Sequence, residues 1–272
     1  MTRPFRFGVV AAAYGTGDDW VRRARRVSEL GFATLLTPDT LSTHAPMPAL
    51  ATAAAAVPGL GVCPFVLAAP LRTPGLLAWE ARSMAALTGG RFELGLGTGR
   101  PDARADAERL GVTWGTGPQR LDALRATVAA LRDGEAAETG AARTPVLVAA
   151  SGPRALAAAA AAADTVVLAA RPTASRDQVA AMAAALRGHD VEIATNLFAV
   201  GDDLPPDTAL RAGPDGERLL REPGCPARLH GSVTAMADEL RRRRDEWGLS
   251  YVAVGERYAP ALAPVVAALA GT

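Results

Sequence analysis

Hydrophobic positions along the chain recur with two spacings that follow one another in a regular order. In residues 5–9 every second position is a large apolar residue, which is typical of a strand. In residues 20–30 the apolar positions recur at three- and four-residue intervals, which predicts an amphipathic helix. Asp18 or Asp19 is suited to cap the start of this helix, and Gly31 is suited to end it. The chain therefore opens with a strand followed by a helix.

The same change of spacing continues to the C-terminus. Seven further stretches have strand character: residues 33–37, 60–68, 91–100, 146–149, 165–168, 191–200 and 251–254. Helical stretches separate them, at residues 47–57, 118–131, 175–186 and 261–270 and in an alanine-rich stretch after Pro153. A further helix starts at Thr73-Pro74 and is predicted to bury Leu77, Ala81, Met84 and Leu87. Another helix is capped by Ser232 or Thr234 and ends at Trp247. Residues 201–228 are rich in Pro, Gly, Asp and Arg and predict a loop with one helical turn at most.

Eight strands alternating with helices in about 250 residues match a (β/α)8 TIM barrel. We therefore predict an α/β protein with one barrel domain over residues 1–272. The alternative is a doubly wound open sheet, which carries a glycine fingerprint after its first strand. Residues 11–15 read AAAYG and lack that fingerprint, so the barrel is favoured.

Residues 91–100, RFELGLGTGR, form the most informative of these strands. The alternation predicts that Glu93, Gly95 and Gly97 face the barrel interior, while the large apolar residues between them pack against the helices. Glycines in a strand leave room for another surface to come close. A plain strand with a glycine-rich exit turn is the competing interpretation.

Composition narrows the chemistry. The formal net charge is +1, and all 29 basic residues are Arg, which excludes a Schiff-base lysine and a phosphate-binding P-loop lysine. This charge argues against nucleic acid as a partner. Two cysteines and three scattered histidines predict neither a disulfide framework nor a metal site. No leader peptide or membrane-spanning run is expected at this stage, so we expect a cytoplasmic protein.

Catalytic residues of a barrel lie at the carboxyl ends of its strands and in the loops that follow. That rule selects residues 11–14, 39–44, 67–72, 97–100 and 151–154, Arg171, residues 196–198, and Glu256-Arg257. Residues 151–154, Ser-Gly-Pro-Arg, stand where a strand enters a helix, and a helix N-terminus attracts phosphate. An ordinary helix cap explains the same residues equally well.

Asp39 and His44 are the candidates for proton transfer, because imidazole titrates near neutral pH. Turn or helix capping for Asp39 and an exposed loop position for His44 are the competing explanations. Cys63, inside a strand, is expected to be a core residue. Residues 241–244 are four arginines among acidic residues on one helix, which predicts a solvated helix face.

Residues 65–100, FVLAAPLRTPGLLAWEARSMAALTGGRFELGLGTGR, resemble the central signature of the bacterial-luciferase-like family, in the branch that uses the deazaflavin coenzyme F420. In that branch, four features follow one another at this spacing: a strand, a helix that starts with Arg-x-Pro, a Gly-Gly-Arg and a GxGxG strand. Residues 148–168 resemble the family's phosphate-side strand and helix, and residues 230–254 resemble its last helix and strand. The resemblance covers most of the chain and is weak over residues 201–228.

This resemblance implies a barrel that binds F420, or FMN as the alternative, at its C-terminal face and transfers a hydride at the ring. It also implies a non-prolyl cis peptide within residues 66–69. The implied cofactor contacts are Asp39, Thr40, Val66, Leu67, Ala68, Gly97, Thr98, Gly99 and Arg100, with the phosphate held by Ser151, Gly152, Pro153 and Arg154, near Arg100 or Arg154.

The chain departs from the family in two respects. The His that often follows the acid of the second strand is absent, because Asp39 precedes Thr40. The chain is also short for the family, so the pocket is expected to be open or completed by a partner subunit in a homodimer. The resemblance thus predicts an F420-dependent oxidoreductase acting on a small organic substrate, with a separate reductase supplying reduced cofactor. The alternatives are an FMN-dependent monooxygenase and a degenerate, non-catalytic barrel subunit.

Overall fold

A computed structural model describes residues 3–100, 102–137, 143–205, 207–208 and 212–272. Its main sheet contains nine parallel strand segments: β1 (Arg6–Val10), β2 (Thr34–Thr37), β3 (Gly61–Pro64), β4 (Leu67–Ala68), β5 (Leu94–Gly97), β6 (Val146–Ala150), β7 (Thr165–Leu168), β8 (Glu192–Leu197) and β11 (Leu249–Gly255). Two short strands, β9 (Ala199–Val200) and β10 (Arg228–Leu229), pair in parallel beside it.

The sheet closes into a barrel through its third strand. The order of segments is β3-β2-β1-β11-β8-β7-β6-β5-β4, so the two ends of the sheet are the two halves of one stretch of chain. The peptide between Phe65 and Val66 is cis and separates β3 from β4. The predicted cis bond within residues 66–69 therefore lies one bond earlier than expected. The predicted barrel is confirmed, with its third strand divided at the mouth.

Helices cover the outside of the barrel. They are α1 (Gly17–Glu29), α2 (Pro46–Ala56), α3 (Pro74–Leu87), α4 (Ala103–Leu110), α5 (Gly117–Ala137), α6 (Pro153–Ala162), α7 (Arg176–Ala184), α8 (Gly216–Arg221), α9 (Val233–Trp247) and α10 (Ala259–Leu269), with 3-10 turns at Ala69–Leu71 and Glu256–Tyr258. Among the described residues, no helix is both long enough and apolar enough to span a membrane.

Side chains separate into an outer and an inner layer, as the alternation in β5 predicts. Phe92, Leu94 and Leu96 belong to the large core between barrel and helices. A Cβ built on Gly95 would overlap the carbonyl oxygen of Pro64 across the barrel wall, which shows that Gly95 faces inward. Glu93 also faces inward, and it pairs with an arginine of β1. The predicted orientation of this strand is confirmed.

Charged side chains close the N-terminal end of the barrel. Arg6 forms an ion pair with Glu93 and donates a hydrogen bond from Nε to Glu192 Oε2 at 2.8 Å. Its guanidinium lies 3.8 Å from the centroid of the Tyr251 ring. Ser250 donates to Glu192 at 3.2 Å. These residues fill the barrel at this end, so the opening lies at the carboxyl ends of the strands.

Several predicted details are wrong. The cap of α1 is Thr16, whose side chain accepts from the backbone of Asp19. Helix α4 lies between the predicted strand 91–100 and the predicted helix 118–131, where the pattern gave no element. The short helix α8 is the helical turn allowed in the loop of residues 201–228, of which residues 206 and 209–211 lie outside the described part of the chain. Leu87, expected in the buried face of α3, is 82% exposed because it ends the helix.

The arginines of α9 do not form a uniformly solvated face. Arg243 is 1% exposed, and its guanidinium donates to the carbonyl oxygens of Pro226 at 2.7 Å, Cys225 at 3.1 Å and Arg228 at 3.1 Å. The carboxylate of Glu239 accepts from its Nε at 2.8 Å. Buried charge is tolerated when every donor has a partner, and Arg243 thereby fixes the chain before β10.

Candidate active site

A cavity of about 360 Å³ opens at the carboxyl ends of β2, β4, β5 and β6. We call it cavity A. It is lined by Pro38, Asp39, Phe65, Val66, Ala68, Gly97, Thr98, Gly99, Arg100, Ala103, Ala149, Ala150, Ser151, Ala155 and Ala169. Its volume is within the usual range of small-molecule sites, about 300–1,000 Å³. Most of the predicted cofactor contacts from β4, β5 and β6 therefore line one cavity.

Glycines of β5 keep cavity A open. A Cβ built on Gly97 would lie 2.8 Å from Val66 Cγ2, so a larger residue would press on the side chain that forms one wall. A Cβ on Gly99, whose φ is +83°, would overlap the ring of Trp114. That ring lies under Arg120, whose guanidinium is 4.8 Å from the ring centroid. The glycine-rich exit of β5 is thus a place of close approach, which supports the functional interpretation of this strand.

The N-terminus of α6 borders cavity A. Helix α6 begins at Pro153, as predicted, and Gly152 is its N-cap with φ +77°. No side chain caps this end, so Ser151 does not act as an ordinary helix cap. The free N–H groups of the first turn and the positive end of the helix dipole are available to an anion. This arrangement favours a phosphate over a simple cap for residues 151–154.

A second cavity, of about 340 Å³, adjoins the first. We call it cavity B, and it shares Phe65, Val66, Ala149 and Ala169 with cavity A. Its other lining residues lie in or just after β7 and β8, in α7, or just before β10: Val167, Leu168, Ala170, Arg171, Pro172, Val179, Thr195, Asn196, Phe198, Pro226 and Ala227. The lining is apolar apart from Thr195, Asn196 and Arg171. Cavity B therefore suits a molecule with a large apolar part and few polar groups.

Asp39 is held by a neighbouring arginine. Its Oδ2 accepts from Arg72 Nη1 at 2.7 Å and its Oδ1 from Arg72 Nη2 at 2.8 Å. Oδ2 also accepts from the backbone N–H of Ala68 at 3.0 Å. A bidentate guanidinium–carboxylate pair holds both side chains in one orientation. Asp39 therefore shapes the wall of cavity A at Ala68, and the geometry gives no support to a proton-transfer role.

Six predicted site residues line neither cavity, and three of them, Thr40, His44 and Leu67, have other contacts. The ring of His44 binds the carbonyl oxygen of Gly15 through Nε2 at 2.8 Å, and its backbone N–H donates to Ala13 at 2.8 Å, so it is tied to the loop after β1. Thr40 belongs to a turn in which its hydroxyl lies 3.1 Å from Ser42 Oγ. Leu67 is fully buried in the outer core. The catalytic role assigned to His44 and the contacts assigned to Thr40 and Leu67 have no support in this geometry.

Other predicted residues lie outside cavity A. Gly152, Pro153 and Arg154 line a groove next to cavity A and not the cavity itself. Burial raises the pKa of the Cys63 thiol, consistent with the expected core position. Conversely, the most important residues absent from the predicted contacts are Phe65 and Ala149, which line both cavities. They carry no polar group, so only the three-dimensional arrangement could identify them.

A family model matches most of the chain. The family model of the luciferase-like monooxygenases matches residues 3–207. The chain belongs to the luciferase-like monooxygenase family and is an oxidoreductase of that family. The matched residues include both halves of the divided third strand, β5 and the start of α6. No curated protein matches the chain by sequence.

Solved structures confirm the fold over nearly the whole chain. The F420-dependent tetrahydromethanopterin reductase of Methanopyrus kandleri is 16% identical, with a TM-score of 0.72 over 97% of this chain and 98% of that one. The monooxygenase RslO1 of Streptomyces bottropensis is 18% identical, with a TM-score of 0.68 over 95% and 97%. The type II Baeyer–Villiger monooxygenase of Pseudomonas putida, in complex with FMN, is 13% identical, with a TM-score of 0.68 over 97% and 95%.

Proposed function

We propose that this protein is an F420-dependent oxidoreductase that moves a hydride between the deazaflavin and a small, largely apolar organic substrate. The supporting observation is the pair of adjoining cavities at the open end of the barrel, with the uncapped α6 N-terminus at the edge of one of them. The F420-dependent reductase among the structural neighbours supports the choice of this cofactor.

The residues of cavity A fit a flavin-type group. Phe65, Val66 and Ala149 offer an apolar wall for a ring, and Ser151 and the α6 N-terminus offer hydrogen-bond donors for a phosphate. Arg100 also lines the cavity, but its guanidinium pairs with Asp102 at 3.2 Å. When bound, the deazaflavin supplies two-electron hydride chemistry, and the protein supplies binding and orientation.

The two cavities adjoin, and their lining residues indicate what the protein itself contributes to the reaction. The shared wall of Phe65, Val66 and Ala149 would hold the cofactor and substrate against one another, and the apolar lining of cavity B would exclude water from the contact. Asn196 and Thr195 can orient a carbonyl or hydroxyl group of the substrate by hydrogen bonding. Asp39 and Arg72 keep the Ala68 segment in place at the wall of cavity A, where it would contact a bound cofactor.

An FMN-dependent monooxygenase is the second candidate. It is favoured by the family's description and by the FMN complex among the structural neighbours. The reaction with oxygen separates the two, because reduced flavin reacts with oxygen whereas deazaflavin favours hydride transfer. A separate reductase that supplies reduced cofactor and assembly as a homodimer are further parts of the proposal, to be tested by reconstitution and by sedimentation.

Separate titrations with F420 and with FMN, followed by fluorescence, test the proposal. The Gly97→Ala variant should weaken F420 binding, because its methyl group would press on Val66, while Gly17→Ala serves as the control because no atom lies near its added Cβ. Binding of FMN alone would favour the monooxygenase. Binding of neither cofactor would favour a non-catalytic subunit and overturn the proposal.

A further inference from the structure

We propose that cavity B binds a small organic acid, with Arg171 holding its carboxylate and the apolar lining holding the rest of the molecule. This inference rests on the proposed function and names the class of its substrate. Among the described residues that line cavity B, Arg171 is the one cationic side chain and none is acidic. A ligand that enters this cavity therefore meets a single positive charge in surroundings that are otherwise apolar or neutral.

The guanidinium of Arg171 is available to a ligand. Within the part of the chain that the structure describes, Arg171 forms no ion pair and its side chain donates no hydrogen bond. By contrast, Arg100 of cavity A pairs with Asp102 at 3.2 Å, and Arg72 pairs with Asp39 at 2.7 Å. An arginine that is not committed to a carboxylate of the protein can form a charge-assisted pair with a carboxylate of a ligand.

The backbone that carries Arg171 is fixed just after the end of β7. The backbone N–H of Ala169 donates to the carbonyl oxygen of Ala150 at 2.9 Å, which ties this segment to β6. The backbone N–H of Ala174 donates to the carbonyl oxygen of Arg171 at 2.9 Å. Because Pro172 follows Arg171, the backbone of Arg171 is restricted to extended conformations. The side chain therefore starts from a defined position at the open end of the barrel, while its guanidinium stays free.

A single guanidinium favours a carboxylate over a phosphate. Arginine binds either group through two parallel hydrogen bonds. A phosphate monoester carries a charge of about −1.5 to −2 at neutral pH, whereas a carboxylate carries one negative charge. An uncompensated charge is costly in apolar surroundings, and Arg171 supplies one positive charge. The charge of cavity B therefore matches a monocarboxylate.

The position of Arg171 also gives the acid an orientation. Arg171 lines cavity B but not cavity A, and the wall that both cavities share is formed by Phe65, Val66, Ala149 and Ala169. An acid whose carboxylate is bound by Arg171 turns its apolar part toward this shared wall and toward the proposed cofactor. Arg171 thus selects and orients the substrate and takes no part in hydride transfer itself.

The test uses three probes with one ring system: naphthoate, the neutral naphthamide and naphthyl phosphate. Isothermal titration calorimetry gives their affinities, and fluorescence gives the affinity for F420 separately. Naphthoate should bind more tightly than naphthamide. Arg171→Gln should weaken naphthoate binding by about 3- to 10-fold, as expected for a charge-assisted pair that is only partly removed from water. Arg171→Lys should retain part of the affinity, because it keeps the charge but loses the planar fork.

Arg187→Gln is the matched control. Arg187 is also exposed and, among the described residues, also forms no ion pair, but it lies between α7 and the start of β8, at the filled end of the barrel. Its replacement should leave the affinity for naphthoate unchanged. Melting temperatures of all variants show whether each one is folded, and binding of naphthamide and of F420 should be the same in Arg171→Gln as in the wild-type protein.

The outcomes separate this inference from the proposed function. A preference for naphthoate over naphthamide that is lost in Arg171→Gln and kept in Arg187→Gln supports the carboxylate site. Equal affinity for the two probes, binding of neither, or a preference that Arg171→Gln leaves unchanged overturns the site while F420 binding stands. Tightest binding of naphthyl phosphate also overturns the assignment to a carboxylate. If F420 does not bind but Arg171 still discriminates naphthoate from naphthamide, the proposed cofactor is overturned and the carboxylate site is supported.

Discussion

At the scale of single residues, glycines and one ion pair determine the shape of cavity A. The inward position of Gly95 and Gly97 followed from the period-2 pattern, because alternation in a strand fixes which side chains share a face. The pairing of Asp39 with Arg72 did not follow, since 33 residues separate them and nothing in their spacing indicates contact. The sequence therefore identified Asp39 as a site residue but suggested proton transfer where the structure shows an anchored carboxylate.

Replacing Gly95 by Ala should destabilise the fold by about 1–3 kcal/mol or more, because the new methyl group would overlap the Pro64 backbone, which cannot move aside cheaply. Gly75→Ala in α3 is the matched control. No atom lies within 4 Å of its added Cβ, and the loss of glycine freedom should stabilise the protein by about 0.4–1 kcal/mol. Urea unfolding midpoints measure both, and equal stability of the two variants would contradict the inward position of Gly95.

A double-mutant cycle on Asp39 and Arg72 tests whether this pair has a positioning role. Asp39→Asn should cost about 1.5–3 kcal/mol, since it removes a charge-assisted pair, and the coupling energy with Arg72→Met should be about 0.5–3 kcal/mol. Unfolding experiments on the four proteins give the coupling. If Asp39 instead transferred a proton, Asp39→Asn would abolish a pH-dependent rate step while leaving stability nearly unchanged.

At the scale of elements, helix termini and helix faces show where pattern reasoning succeeds and fails. The start of α3 at Pro74 followed from the cap-then-proline order of Thr73-Pro74, because proline is favoured in a helix's first turn. The burial of Arg243 did not follow, because α9 carries acidic and basic residues at helical spacing all around. Arg243 is the one arginine of the four that is buried, because a loop distant in sequence places the carbonyl groups of residues 225–228 against its guanidinium.

The cluster around Arg243 should make stability depend on pH. Although burial by itself raises the pKa of the Glu239 carboxyl, hydrogen bonds from Arg243 and Arg176 outweigh burial and lower the pKa below the ordinary 4.5. A carboxyl with a depressed folded pKa stabilises the protein above its unfolded pKa, and this contribution is lost as pH falls through the folded value. The free energy of unfolding should therefore decrease as pH falls below about 5.

Urea midpoints measured between neutral pH and about pH 3 should decrease more steeply for the wild-type protein than for Glu239→Gln, which keeps the side-chain shape but cannot ionise. Glu29→Gln is the control, because Glu29 is exposed and lies 3.7 Å from Arg26. Parallel pH profiles for wild type and Glu239→Gln would show that this carboxylate contributes nothing, and an altered profile for Glu29→Gln would show that the effect is not specific to the cluster.

At the scale of the whole molecule, the two ends of the barrel are built for different purposes. The ion pairs of Arg6 with Glu93 and Glu192 fill the N-terminal end. The opposite end leaves two adjoining cavities uncovered. The count and order of strands predicted this barrel, because alternating strands and helices of this number have few other solutions. The filled end could not be predicted, since its charges come from β1, β5 and β8, far apart in sequence.

A ligand that binds across the open end stabilises the folded state without binding the unfolded chain. At a concentration about 100 times its dissociation constant, F420 should add about 2.7 kcal/mol to the free energy of unfolding. For a chain of 272 residues this corresponds to a rise in melting temperature of about 5 °C. Differential scanning fluorimetry with increasing F420 measures the rise, and the concentration dependence gives the affinity.

The control for this experiment is the Gly97→Ala variant, whose added methyl group would narrow cavity A beside Val66 while leaving the filled end of the barrel unaltered. Its melting temperature should rise less than that of the wild-type protein at each F420 concentration. FMN, added at the same concentrations, shows whether the stabilisation requires the deazaflavin. An equal rise in wild type and Gly97→Ala would place the binding site outside cavity A. A ligand held against Val66 should bind less tightly when an added methyl group presses on that side chain.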